Sequence, residues 1–232
     1  MRFIFLSSLC LVALVLSACA STPASSTPVG TNANPTSNAD STSTANVGDS
    51  SYIVVGPRPE IIVKSENAAQ LTFVGSDTQK NISTDRFSLP YKKEGNKVTI
   101  DFGEAVVQSL EIKVPLEANL NVVLANGNVV VNSIQGQVAM TLGNGTIHIK
   151  NFTPMGKNTI QAKNGTIDVT FANKSSCSLN AQTNFGAVVS HYPAISEKRS
   201  GMQDQASGTI GSGSGATVNL VGGYGSITFG PA

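Results

Sequence analysis

Between Leu120 and Val169 apolar and polar residues follow one template three times: LNVVLANGNVVV from Leu120, VAMTLGNGTIHI from Val138 and NTIQAKNGTIDV from Asn158. Each unit turns on an Asn-Gly pair, and the central glycines lie 18 residues apart (Gly127 to Gly145) and then 20 (Gly145 to Gly165). Counting back from each glycine, the positions seven, five and three before it hold Leu120, Val122 and Leu124, then Val138, Met140 and Leu142, then Asn158, Ile160 and Ala162. Two and four after it come Val129 and Val131, Ile147 and Ile149, Ile167 and Val169. Alternate residues of a strand share a face, so these positions form an inward stripe. The residues between them, such as Thr141, Thr159, Gln161 and Thr170, are neutral and polar and are expected to face solvent.

The template continues more weakly on either side. Leu179, Ala181, Gly186 and Val188 fit a fourth unit, 21 residues on from Gly165, and Val218, Leu220, Gly225, Ile227 and Phe229 fit a last one. Between those two lies a gap with a charged segment, Glu197 to Arg199, and a Gly-Ser run, Gly208 to Gly215, which reads as a loop of about 20 residues, with a degenerate coil around Gly208 to Ser212 as the alternative for part of it. Upstream, short β-rich runs at Tyr52, Ile61, Leu71, Lys97 and Ser109 are punctuated by Gly, Pro, Asn and Asp. No mature stretch spaces its apolar residues at the helical period, so the domain is expected to be all-β.

Two architectures fit this pattern. Asn-Gly between alternating apolar residues is a strong signal for a two-residue hairpin, which would give an antiparallel meander. In a β-solenoid the same pair makes a corner, glycine taking the positive φ that other residues avoid, and successive coils stack. The near-constant return length favours stacking, because each unit is too small to bury its own apolar face. The corners would then be Asn126-Gly127, Asn144-Gly145 and Asn164-Gly165, followed by Gly186 and Gly225, with Asn126, Asn144 and Asn164 aligned as an amide ladder.

From about Tyr52 to Phe229 the chain resembles a bacterial adhesin-like domain family of uncharacterised function, related to the head-GIN domains. The resemblance rests on Lys113-Val114-Pro115 leading into Leu120-Asn121-Val122, on the recurring Asn-Gly-x-Ile/Val turns, and on the closing segments from Gly213 and Gly225. It implies a single-stranded, right-handed β-solenoid (β-helix) of roughly 20-residue coils with glycine at the corners, and an adhesion or structural role. Phe185 and Tyr224 depart from the family pattern by replacing the corner asparagine.

The N-terminal end says where such a domain would sit. Met1 to Ala18 carries a single cation, Arg2, and an apolar run from Phe3 to Leu16, the layout of a secretory signal peptide rather than a transmembrane span. The run ends in Leu16-Ser17-Ala18-Cys19, which resembles the bacterial lipobox, so Cys19 is the expected site of lipidation, palmitate included. Several acyl chains on one residue hold a protein stably to a bilayer without crossing it. Ala20 is not the aspartate that retains lipoproteins at the inner membrane, so the expected location is the outer membrane of the cell envelope. Residues 20 to 50 hold 13 Ser or Thr among 31 positions, with three prolines, no aromatic residue and no cation. That composition predicts a disordered tether and divides the chain into a signal peptide (1–18), the lipidated cysteine with its tether (19–50) and the solenoid domain (51–232).

Charge and candidate chemistry narrow the function. The chain has 15 Lys+Arg and 14 Asp+Glu, and removal of Arg2 with the signal peptide leaves 14 against 14, so no basic surface argues for nucleic acid. Cys10 leaves with the signal peptide and Cys19 is acylated, which leaves Cys177 alone as a small core residue. Glycosidic cleavage and calcium-bound repeats need clustered carboxylates, whereas Asp168 is the sole acid between Asn119 and Ile195. No catalytic residue, cofactor site or metal site is therefore assigned. His148 and Asp168 stand three after their glycines, so stacked coils would set them side by side as an exposed pair. The candidate binding surface is the insertion with Tyr192, Lys198 and Arg199, or the neighbouring outer strands with His148, Lys150 and Asp168. The expectation is an envelope-anchored, non-catalytic adhesion or binding module, meeting the bilayer through Cys19 and an envelope protein or surface polysaccharide through its head. A polysaccharide-processing β-helix enzyme and an envelope sensor or assembly factor are the alternatives.

Overall fold

The computed structural model describes residues 46–84, 88–213 and 215–232. The leader, Cys19 and the tether up to residue 45 lie outside the described residues. All described strands belong to one compact unit. In chain order they are β1 (Asn46–Ser50), β2 (Tyr52–Ile53), β3 (Glu60–Ser76), β4 (Ile82–Ser83), β5 (Leu89–Glu94), β6 (Lys97–Asp101), β7 (Val106–Pro115), β8 (Asn119–Asn132), β9 (Gln135–Gly136), β10 (Val138–Pro154), β11 (Lys157–Phe171), β12 (Cys177–Ser190), β13 (Ser196–Ser200), β14 (Gln203–Ile210) and β15 (Thr217–Pro231). The fold is all-β and solenoid-like, with an unclosed sheet ordered β1-β5-β6-β3-β8-β10-β11-β15-β12-β14-β13.

The repeat units pair in parallel and in register, Gly127 beside Gly145 and Gly145 beside Gly165. This excludes the antiparallel meander for the repeats. In a hairpin Leu124 and Val129 would oppose each other across a turn. Here they lie on successive legs of one bent strand and meet the matching residues of the coils above and below.

The bend follows from residue count. Leu142 and Ile147 are both buried but five residues apart, and in a straight strand an odd separation places side chains on opposite faces. The chain must turn between them, and it does so at Gly145 with φ 135°. A second bend falls at Ser133 and Asn151, both in the left-handed region at φ 56° and 54°, and returns Ile134 and Phe152 to the interior. The core is thus a column enclosed by the legs of each coil. Phe73, Phe152, Phe171 and Phe229 are fully buried in it, with Phe152 and Phe171 stacked at 5.9 Å.

One member of the inward stripe is polar. Asn158 is wholly buried, yet its Oδ1 accepts from the Val138 N–H (2.8 Å), and its amide donates to the Thr217 carbonyl (3.0 Å) and to those of Met155 and Gly156 (both 3.3 Å). It fastens a coil to both of its neighbours, so its burial leaves no polar atom without a partner.

Three expectations from the sequence need correction. The coils do not stack in chain order: β15, the last strand, lies between β11 and β12, pairing in parallel with both. The other end repeats the device, with β3 between β8 on one side and the split coil β6 and β7 on the other. The segment between the last two units is not a long loop, because β13 and β14 form an antiparallel hairpin whose inner strand pairs with β12. Its burial of Ile195, Ala206 and Ile210 is what fixes it there. The strands also begin before the expected end of the tether at residue 50, since β1 pairs antiparallel with β5.

Candidate functional site

Stacking in register converts single residues into rows. The corner row runs Asn67, Asn126, Asn144, Asn164, Tyr224, Phe185. Each asparagine amide donates to the side-chain oxygen of the one before it: Asn164 to Asn144 at 2.7 Å, Asn144 to Asn126 at 2.8 Å and Asn126 to Asn67 at 3.1 Å. Beside it the glycines stack so closely that a Cβ on Gly145 would sit 1.7 Å from the Gly127 carbonyl oxygen, and one on Gly186 would sit 1.6 Å from that of Gly225. Glycine is required here by the approach of the neighbouring coil as well as by φ.

Two outward surfaces meet at this corner. The leg before it carries Asn121, Ala139, Thr159, Asn219 and Asn180 in one row, and Val123, Thr141, Gln161, Val221 and Gln182 in the next. This surface is rich in amide and hydroxyl groups, with the outward Lys157 and Lys163 of β11 at its two margins. The leg after the corner carries Val130, His148, Asp168, Thr228 and Val189, with Lys150 opposite Asn132. His148 Nδ1 and Asp168 Oδ2 are 3.4 Å apart, and both side chains are about two-fifths exposed, at 40% and 42%. The neighbours in that row are Val130 on the histidine side and Thr228 on the aspartate side. Among the described residues no group of three or more His, Cys, Asp or Glu side chains is placed to hold a metal ion.

The residues proposed around the insertion separate. Lys198 and Arg199 lie exposed on the edge strand β13, where charge discourages pairing with another strand. Tyr192 packs inward against the core, its ring 6.3 Å from Phe171, and burial followed by the nearby Cys177 sulfur pushes its phenol pKa up. Burial likewise pushes the Cys177 thiol up to about 11. The hairpin's acids have a structural use: Asp204 Oδ2 accepts from the Val188 N–H (3.1 Å) and Glu197 Oε1 from the Ser190 N–H (2.9 Å). They cap the second leg of β12, which the hairpin strands do not cover.

Two features carry no clear signal in the sequence pattern. Asn67 begins the amide ladder, but Ala68 follows it in place of glycine, and a register shift between Ala68 and Leu71 hides the repeat. A cleft lined by Val55, Pro57, Arg58, Lys80, Leu116 and Glu117 lies near the β1 end, with Arg58 at φ 51° and its Nε 2.9 Å from Glu117 Oε2. Its one trace is the Gly-Pro-Arg-Pro run at Gly56, which marks a constrained turn.

Comparison with known proteins agrees with this architecture. A search of curated proteins finds no match. The chain is similar in fold to a crystal structure from Clostridium sporogenes described as a "putative cell adhesion protein", with a TM-score of 0.55 and 13% identity over 81% of this chain and 100% of that one. Residues 111–221, which span the three strong repeats and the first part of the inserted last coil, match the Toastrack family, DUF4097.

Proposed function

We propose that the chain is a non-catalytic binding module of the bacterial cell envelope, a right-handed, single-stranded β-solenoid of roughly 20-residue coils held to the outer membrane by acylated Cys19. The observation that carries the binding role is the surface before the corner, where Asn, Thr and Gln hold most positions of two rows that run from coil to coil at the strand spacing of about 4.8 Å. Such a surface presents many weak, evenly spaced hydrogen-bonding groups on a rigid support. That suits attachment to an extended surface polysaccharide, or to an envelope protein, through many shallow contacts.

The adhesion description of the C. sporogenes protein supports the same reading. The leader and the Leu16 to Cys19 sequence support the anchor. Attachment of intact cells to a polysaccharide-coated surface tests the binding role. Replacing Thr159 and Asn219, neighbours on this surface, by glutamate is expected to reduce attachment while leaving the folded spectrum intact. Undiminished attachment by the folded variant would refute it. Cys19→Ser tests the anchor: the wild type is expected to incorporate labelled palmitate and the variant not to.

A further inference from the structure

The corner row changes character at one end. Four asparagines occupy it and then Tyr224 and Phe185 take the same position, each followed by the same glycine. Their rings stack with centroids 4.7 Å apart and planes 6° apart, yet the residues remain 57% and 44% exposed. The backbone does not demand an aromatic residue there, because asparagine serves beside Gly127, Gly145 and Gly165. The turn joining β13 to β14 follows directly on the Thr183–Asp204 pair and brings in Met202, 68% exposed. Val189, on the adjoining leg, is 42% exposed. These four make up half of the eight large apolar side chains exposed among the described residues, and they lie on the last coil and its hairpin, at or beside the Phe185 corner.

We infer that this corner, built on Tyr224, Phe185 and Met202, is a contact site for a lipid bilayer surface. The inference rests on the anchoring reading. Tyrosine and phenylalanine beside lysine and arginine are the side chains that settle at the boundary of headgroup and acyl chain. Lys163 lies directly under Gly223, next to Tyr224, and Arg199 lies opposite Asp204 at the hairpin turn. Stacking covers one face of each ring and holds the two aromatic side chains together as one apolar projection at the corner. Chain length permits the contact: 26 residues, the number from 20 to 45, reach at most about 80 Å when polyproline-like, and the step from β1 to β12 crosses eight strand spacings, about 40 Å. An anchored head can therefore lie along the membrane with its far corner in the interface.

The chain contains no tryptophan, so one introduced residue reports alone. Tyr224→Trp in the full acylated chain, reconstituted in vesicles of phosphatidylethanolamine and phosphatidylglycerol, is expected to show a blue-shifted emission quenched by brominated acyl chains. Thr141→Trp, on the surface before the corner, is expected to show neither. Adding Phe185→Asn and Met202→Ser to the Tyr224→Trp chain should lower the quenching about tenfold, because both changes remove apolar contact at the corner while asparagine is a residue the other corners already accommodate. A Tyr224→Trp chain that floats with the vesicles while its indole stays water-exposed would overturn the inference and leave the anchor standing; it would point to a protein partner at the corner instead. A chain that fails to float would overturn the anchor. The unacylated Tyr224→Trp chain titrated with the same vesicles then decides the corner, a blue shift supporting the site and its absence at high lipid overturning it.

Discussion

At the scale of single residues, the corners combine two constraints that substitution separates. Gly145→Val meets an unfavourable φ, costing about 1–3 kcal/mol, and a clash with the Gly127 carbonyl that only a shift of the coils relieves. A marked fall in melting temperature is expected, while Thr141→Val, on the outer surface of the same strand, should change stability by no more than about 0.5 kcal/mol. Asn158 gives a sharper contrast between pattern and structure. The repeat places Leu120 and Val138 at the equivalent positions, so the pattern alone would welcome Asn158→Leu. The structure predicts a loss instead, about 1–3 kcal/mol for the buried Val138 N–H left unpaired, with a smaller share from the part-buried Thr217 carbonyl, read by chemical denaturation. Cys177 adds a dependence on pH. Its thiol is pushed up to about 11 in the folded chain, so the unfolded chain ionises first, and this contribution to stability is full below the ordinary thiol pKa and is lost as pH rises toward 11. Denaturation midpoints of the wild type should fall over that range more than those of Cys177→Ala.

At the scale of elements, the inward stripe and the amide ladder were legible because each is written locally, in alternation and in a repeated Asn-Gly. The hairpin of β13 and β14 was not. Its outer strand, Ser-Glu-Lys-Arg-Ser, is entirely exposed and has no apolar alternation to read. The inner strand buries only Ala206 and Ile210, among glycine and hydroxyl residues that resemble a loop. What makes them strands is the uncovered edge of β12, a partner distant in the sequence. Replacing Ser196 to Gly213 by a short Gly-Ser turn, harmless if this were a loop, therefore removes the cap. The expected outcome is a lower melting temperature together with concentration-dependent association, seen by light scattering, as the edge of β12 pairs between copies. A monomer of unchanged stability would return the hairpin to the status of a tolerated insertion.

At the scale of the whole molecule, the departure from chain order decides how the fold is held. Gly165 to Gly186 is a return of 21 residues, close to the spacing of the earlier coils, so nothing local forbids β12 from stacking directly on β11. The long-range pairing of β15 with both wins, and repeat spacing carries no record of such a choice. The consequence concerns cooperativity. A strand that ends a simple stack frays first, whereas β15 buries Val218, Leu220, Ile227 and Phe229 and is paired along both edges. Its amides, together with those of β10 and β11, are expected to exchange with deuterium only through global unfolding, while those of β1 and β13 exchange early. Leu220→Ala, within β15, should consequently destabilise β12 and β14 as much as β11, because the coil carrying the hairpin meets the rest of the stack through β15. Rapid exchange of β15 in an otherwise protected stack would show instead that the inserted strand opens independently, with β11 and β12 holding the column apart without it.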